Sequence, residues 1–464
     1  MCTIGPACSD AKTLEKLIAK GMNVARFNLA HATLEEQVRN IAAVRAAAKK
    51  AGALVTIIAD IPGPKIRTGQ VKNGRVFLKD GDKIEFVEEK IEGNEKKVQV
   101  NFPGFFNIVG KGTIIYINDG ALEFKVISKK PGSVECEVVV GGELNSRKGV
   151  AVPGVEIDLP PLREEDYALI DFAKMHSLDF LCMSFVRNAA DVLDLKRRLV
   201  EKECDTQVIV KIESAVAFRN YKEIVSAADG VMVARGDLGV QIPAEDVPVA
   251  QKMILRECCE ASRPAIVATQ MLDSMMRNPQ PTRAEVTDVA NAILDGADAV
   301  MLSGETAIGK FPVRAVEMMD KIIRKTEGTL FKYDLALSEG GHHRLTIPQA
   351  ISKSVVQIAR DLHANAIITY TSEGHTARHI SRHRPFTPII AATANERELL
   401  KLQLLWGVNP ELIPLPKDTD DLVRKAVSAA EAKQFVGKGD LVVITAGIPL
   451  NEPGNTNLLK AHVV

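Results

Sequence analysis

One tryptophan and five tyrosines in 464 residues leave few aromatic anchors, and no apolar run approaches the ~20 residues that cross a bilayer. The opening MCTIGPACSD lacks a charged start followed by an apolar core, so no leader is read and a cytoplasmic protein with no membrane partner is expected. Lys+Arg and Asp+Glu are both 59, which leaves no net field to draw nucleic acid. Any charge chemistry must therefore be local. Seven cysteines, an odd number that includes the adjacent Cys258 and Cys259, make a poor disulfide framework and read as reduced thiols in cores. Cys2 and Cys8 lack the Cys or His companions of a zinc site.

What is present is an ordinary globular composition, 46% apolar and 25% charged, in a chain long enough for roughly two to four domains. Residues 1–61 and 159–334 alternate short β-branched runs with amphipathic stretches such as TLEKLIAKG, which is the βαβ pattern of a parallel sheet. Strands are expected at 23–28, 54–60, 180–185, 207–213, 230–237, 264–270 and 299–305, with a stub at CTIG. Eight βα units over ~240 residues make a (β/α)8 TIM barrel, so the class is α/β. Between 62 and 158, NG, DG and GG turns separate short alternating runs, as in an antiparallel β-barrel-like lid domain inserted after the third barrel strand. From 335 to 464 a smaller α/β domain is expected, with helices near 348–363, 375–384, 395–404 and 418–433, a closing strand NLLKAHVV, and SEGGHHRLTIP as its linker.

Six strand ends are polar: Arg26 and Asn28, Asp60, Lys211 and Glu213, Arg235 and Asp237, Thr269 and Gln270, Ser303 and Glu305. Barrel interiors are filled by branched apolar side chains and active sites lie at the C-terminal ends of strands, so these residues converge on one catalytic face. Glu213 and Asp237, on adjacent strands, would repel unless a cation sits between them. A hard divalent ion, Mg²⁺ with Mn²⁺ able to substitute, removes that cost and leaves positions for substrate oxygens. Ion pairs with Lys211 and Arg235 are the bland alternative. Gly236 lets a ligand approach the backbone, where the amides of Gly236 and Asp237 and the Thr269 hydroxyl suit a small carboxylate; a simple turn would also call for glycine. Lys211 offers a point charge that can follow a phosphoryl group, and Arg26 a fork for phosphate oxygens. A metal, a lysine and an arginine around one anion form an inventory for phosphoryl transfer, with a Schiff base as the competing use of Lys211. Near the C-terminus, Thr371, Ser372, Gly374 and Thr376 open a helix and suit either a phosphate or an ordinary N-cap.

MCTIGPACSD, NVARFNLAHA, ADIPGPKIRTG, VKIES, MVARGDLGV, ATQMLDSM, PTRAEVTDVANAILDGADAVMLSGETAIGKFP and GNTNLLKAHVV together resemble pyruvate kinase, in order and over the whole chain. The resemblance implies a phosphotransferase of glycolysis that moves phosphate from phosphoenolpyruvate to ADP, giving pyruvate and ATP. It implies Mg²⁺ on Glu213 and Asp237, and the substrate carboxylate on the Gly236 and Asp237 amides and Thr269. Lys211 would steady the phosphoryl group, with Arg26 and Arg67 on its oxygens. A second Mg²⁺ would arrive with the nucleotide, whose site would include Thr3, Pro6, Asn28, Arg67 and the lid residue Lys148. A water relayed through Thr269, Ser303 and Glu305 would protonate the enolate. The loop of Thr371, Ser372, Gly374 and Thr376 would hold a phosphorylated allosteric effector in a homotetramer.

Two departures from the family pattern stand out. The first strand usually runs several residues farther upstream than MCTIG. In the monovalent-cation region of Asn28, Asp60 and Ile61, the family often has serine at Ala30, threonine at Ile61 and glutamate at Lys65. A lysine ammonium beside Asp60 would replace K⁺, because two positive charges within ~4 Å repel by several kcal/mol at intermediate dielectric. Independence of K⁺ is expected, the alternative being a solvent-facing lysine at the lid hinge. A Mg²⁺-dependent lyase or aldolase on the same barrel would use Glu213, Asp237 and Gly236 but not a phosphate fork, and a non-catalytic binding protein would not need Lys211.

Overall fold

The computed structural model describes all residues except 31, 103, 156–161, 333–344, 451 and 453. Eight parallel strands follow one another in chain order: Cys2–Thr3, Val24–Asn28, Thr56–Asp60, Phe180–Met183, Gln207–Ile212, Gly230–Ala234, Ala265–Ala268 and Ala299–Val300. The sheet closes on itself, since Cys2 bridges Leu302 in parallel and the Thr3 amide donates to the Leu302 carbonyl at 2.9 Å.

Strand side chains alternate between two faces. Val24, Ile58, Cys182, Ile209, Met232 and Ile266 form one apolar cluster, which fills the barrel. Ala25, Ile57, Leu181, Val208 and Val231 belong to a larger cluster against the surrounding helices. Two and four residues farther along the inward parity come Arg26, Asn28, Asp60, Ser184, Lys211 and Glu213, so the pleat that buries the core also stacks the polar residues above it.

Several strands stop short of the polar ends expected for them. The sixth ends at Ala234, and Arg235–Gln241 is already helix. Thr269 and Gln270 leave the seventh strand at φ of 71° and 55°, while Glu305 lies in the short helix Gly304–Ala307.

The lid holds a six-stranded and a two-stranded sheet. It is not wholly antiparallel, because Lys83–Val87 pairs in parallel with Lys97–Gln99. The two chain connections to the barrel run side by side, with Thr68 N donating to Lys148 O at 2.8 Å and Val150 N to Ile66 O at 2.9 Å. Gly63 at the hinge has φ 61°, and a Cβ there would lie 2.8 Å from the Phe185 ring, so two constraints require glycine.

The C-terminal unit is a five-stranded sheet with helices Ile347–Asp361, His375–Ser381, Glu396–Leu402 and Thr419–Ala432. Its edge strand Val408–Leu412 was not expected from the sequence; Pro410 argues against a strand interior but is tolerated at an edge. Residues 338–344 of the expected linker, and the expected boundaries at 159 and 334–335, lie outside the described residues. Leu404 of this unit joins the apolar cluster inside the barrel, and Thr56 Oγ1 donates to Leu400 O at 2.6 Å. The unit therefore seals the barrel floor. All seven cysteines are free and six are buried. Among the described residues no helix is long and apolar enough to cross a membrane.

Asp179, at the start of the fourth strand, accepts the Ile57 amide at 2.7 Å, and burial raises its pKa from 3.8 to about 6. A carboxyl whose pKa is higher folded than unfolded destabilises the fold as pH rises through that window. Asp179→Asn, which keeps an acceptor, should therefore gain stability over wild type between pH ~4 and ~6, to a ceiling of roughly 3 kcal/mol. Urea titrations across that range check this, and a pH-independent offset would contradict it.

Candidate active site

Four charged side chains share the top of the barrel. Asp60 Oδ2 meets the Arg26 guanidinium directly and lies 3.7 Å from Lys211 Nζ, while Glu213 Oε2 lies 2.8 Å from the same ammonium. Ser184 joins them, taking a hydrogen bond from Lys211 at 3.1 Å and donating to Ile61 O at 2.7 Å and Asp60 Oδ1 at 3.4 Å. Its inward parity with Cys182 was the sequence signal for it, and it was missed. Burial alone would lower the Lys211 pKa, but Asp60, then Glu213 and Asp237, carry it well above the usual lysine range. An amine held protonated is a poor Schiff-base nucleophile. Burial pushes Asp60 upward, yet Lys211 and Arg26 hold it below the ordinary carboxylate range.

Glu213 is 1% exposed. Its Oε1 accepts the Phe185 amide at 2.7 Å, but Oε2, though paired in charge with Lys211, has no hydrogen-bond partner. Burial raises its pKa and Lys211 opposes that rise, while Asp237 adds to it. A buried carboxylate oxygen that meets an ammonium alone, beside a second carboxylate, fits a hard cation able to take up that contact. Among the described residues no group of three or more His, Cys, Asp or Glu side chains could hold one, so the protein supplies two such ligands and the remaining positions fall to other oxygens.

Lys65, expected beside Asp60, instead places Nζ 2.8 Å from Asp237 Oδ1. The lid connection carries it across the cleft, and Asp60 is already engaged by Arg26 and Lys211. Arg235, offered as a partner of Asp237, makes a two-point pair with Asp288 at 2.6 and 2.8 Å and donates to Thr269 O. Thr269 Oγ1 accepts the Gly236 amide at 2.8 Å and donates to Ala268 O, so this hydroxyl and amide now serve each other. Thr3 is also structural, donating to Leu302 O at 3.0 Å and accepting from Arg26 at 3.1 Å, while Pro6 is exposed. Asn28 Oδ1 caps the loop through the Ala30 amide.

Among the described residues no hydrogen bond directly joins the side chains of Thr269, Ser303 and Glu305, which the expected relay links through water. Glu305 is spent on the amides of Leu272 and Ser303, and Ser303 Oγ is buried without a partner. Arg67 Nη1 donates to Arg147 O at 3.3 Å, which keeps it on the lid ribbon beside Lys148. In the C-terminal unit Thr371 and Thr376 are buried, with the Thr376 hydroxyl bonded to that of Thr456 at 2.7 Å, and Thr371, Ser372 and Thr376 together line one small cleft that Gly374 adjoins.

A cleft of about 1050 Å³, measured to its open mouth, joins the lid to the barrel. Lys65, Tyr116 and Val155 line one wall; Phe185, Glu213, Ser214 and Asp237 line the other.

Two family models match the chain: the pyruvate kinase barrel domain over residues 1–316 and the pyruvate kinase alpha/beta domain over 349–462. The chain belongs to the pyruvate kinase family. It is 46% identical to a pyruvate kinase of Geobacillus stearothermophilus over 467 aligned positions, which cover 100% of this chain and 80% of that relative. A Sporosarcina psychrophila pyruvate kinase is 41% identical with the same coverage. The crystal structure of a Cryptosporidium parvum pyruvate kinase matches with a TM-score of 0.90 at 35% identity, covering 100% of this chain and 95% of that one. Pyruvate kinase function follows from matches of this extent, and the class of α/β barrel with a C-terminal α/β domain agrees with them.

Removing one member of a buried charge group strands the others. Asp60→Asn leaves Arg26 without its carboxylate and should cost roughly 3–5 kcal/mol of stability. Denaturant unfolding checks this; a loss under about 1 kcal/mol, the value of an exposed pair, would show that the cluster is solvated.

Proposed function

We propose that the face built from Arg26, Asp60, Lys211, Glu213 and Asp237 catalyses phosphoryl transfer from phosphoenolpyruvate to ADP, with pyruvate and ATP as products. The observation that carries this reading is the Lys211 ammonium, fixed between Asp60, Glu213 and Ser184 at the open end of the barrel beneath the lid. Such a charge is pre-positioned for the oxygens of a phosphoryl group in transit, where it lowers the barrier without reorganising. Arg26 adds a second cation held by Asp60 and Thr3. Glu213 and Asp237 are the residues to hold Mg²⁺, which supplies Lewis acidity toward phosphoryl and enolate oxygens.

For the substrate carboxylate to rest on the Gly236 and Asp237 amides, Thr269 Oγ1 must release the Gly236 amide, a movement that would also free its hydroxyl. Arg67 and Lys148 ride on the lid ribbon, so lid closure delivers them to nucleotide phosphates and expels water. Thr3, expected at the nucleotide, also accepts from Arg26 and so helps to fix that guanidinium. A phosphorylated effector at the loop of Thr371, Ser372, Gly374 and Thr376, a homotetrameric assembly and a cytoplasmic setting rest on family likeness. Lys211→Met should lower kcat roughly 10³-fold with little change in KM, in a coupled assay of pyruvate formation. A change confined to KM would remove Lys211 from the transfer step.

K⁺ independence is proposed from the side chains that Ala30, Ile61 and Lys65 present. The first two offer no oxygen ligand, and Lys65 brings a permanent charge into the cleft, although onto Asp237. Activity should be full with Na⁺ or tetramethylammonium as counter-ion, and Lys65→Glu should introduce K⁺ dependence. Activation of wild type by K⁺ of about tenfold or more at constant ionic strength would overturn this, since a fixed ammonium already supplies the charge.

A further inference from the structure

At the other end of the barrel, where it meets the C-terminal unit, a cleft of about 210 Å³, measured to its open mouth, is lined by Ser262, Arg263, Asp298, Arg378, Arg382 and Arg384. The four arginines are not equally neutralised. Arg384 is fully engaged, pairing with both oxygens of Asp298 at 2.8 and 2.9 Å and donating to Gly296 O. Arg378 has Glu398 at 3.5 Å. Among the described residues, Arg263 and Arg382 have no carboxylate within ion-pair distance. Arg263 donates once, from Nη2 to Ser226 O at 3.2 Å, and its buried Nε has no partner. Arg382 donates from Nη1 to Glu260 O at 3.0 Å and Ser262 Oγ at 3.3 Å.

We infer that this seam binds a phosphate-sized oxyanion between Arg263 of the barrel and Arg378 and Arg382 of the C-terminal unit. Guanidinium forks match phosphate oxygens two at a time, and Ser262 adds a hydroxyl. The ligand is a phosphate group, either the free ion or the end of a phosphorylated metabolite. Titration behaviour around the cleft agrees with an unbalanced positive charge. His379, whose Nδ1 lies 3.0 Å from Ser262 Oγ, is lowered to about 4 by burial and then by Arg382, His375, His383 and Arg378. Arg263 is itself lowered, first by burial; Asp229 opposes this and Arg378 adds to it.

The position gives such a ligand leverage. Arg263 and Pro264 immediately precede the strand Ala265–Ala268, whose far end carries Thr269. Arg378 lies in the helix His375–Ser381, which follows the loop of Thr371 to Gly374, and Arg382 follows that helix directly. An anion in the seam therefore ties the two units at the base of a strand that ends in the active site. None of this depends on the phosphoryl-transfer reading.

The test is equilibrium dialysis of radiolabelled inorganic phosphate against the full chain at ionic strength fixed with chloride. Wild type is compared with Arg263→Gln/Arg382→Gln, and with Arg26→Gln to silence phosphate at the barrel top. The seam variant should lose one equivalent of phosphate per chain, or bind it at least about tenfold more weakly, while Arg26→Gln retains that equivalent. Equal binding by wild type and the seam variant overturns the site. If the double variant does not fold, Arg382→Lys decides, with weakened binding supporting the site and unchanged binding refuting it. Displacement by a sugar phosphate or a nucleoside monophosphate at lower concentration than by unlabelled phosphate supports an end group as the ligand. Displacement no better than by phosphate supports the free ion.

Discussion

A buried carboxylate, Asp60, faces two buried cations, and the catalytic face is arranged around that necessity. Taking four charges out of water costs several kcal/mol for each, and only close opposite partners with their remaining oxygens satisfied offset it. Arg26 and Lys211 share Asp60, Ser184 reaches across from the next strand, and Glu213 is anchored by the Phe185 amide. The partners come from four successive strands at the same inward parity, Lys211 and Glu213 from one of them. The register of the barrel and the stability of the cluster are thus one requirement expressed twice.

The lid meets this rigid platform through weaker forces. Lys65 and Asp237 are each about a third exposed, so their pair is worth at most about 1 kcal/mol. The ribbon at 66–68 and 148–150 is hydrogen-bonded, and Gly63 leaves no space for a side chain against Phe185. Motion is therefore channelled into the whole lid rather than into its stem. A contact this weak between lid and platform can be exchanged for contacts with a ligand without disturbing the charges beneath.

Much of this was legible in the sequence because local pattern and fold agree. β-branched runs separated by helical stretches gave the barrel strands, with Val24–Asn28 and Thr56–Asp60 within two residues of expectation at their starts and at the same ends. Glu213, Asp237 and Lys211 were found because polar residues at barrel strand ends are anomalous. Lys65 was misplaced because its partner lies 172 positions away and no spacing encodes that reach. Thr3 was singled out by the family resemblance and Glu305 by its place at a strand end; that their polar atoms also engage nearby backbone and Arg26 is visible only to three-dimensional accounting of donors and acceptors. Val408–Leu412 was hidden by Pro410, whose missing donor matters little at a sheet edge.

Leu404 closes the floor of the barrel, and with that the C-terminal unit becomes part of the insulation around the charges above it. Detaching it as a separate module would open the underside of the apolar plug to solvent. Water entering there would raise the local dielectric and weaken the attractions that hold Lys211 and Arg26 in place. The barrel is therefore a poor candidate for a minimised enzyme, even though, among the described residues, the cleft at the catalytic face is lined by none from the C-terminal unit.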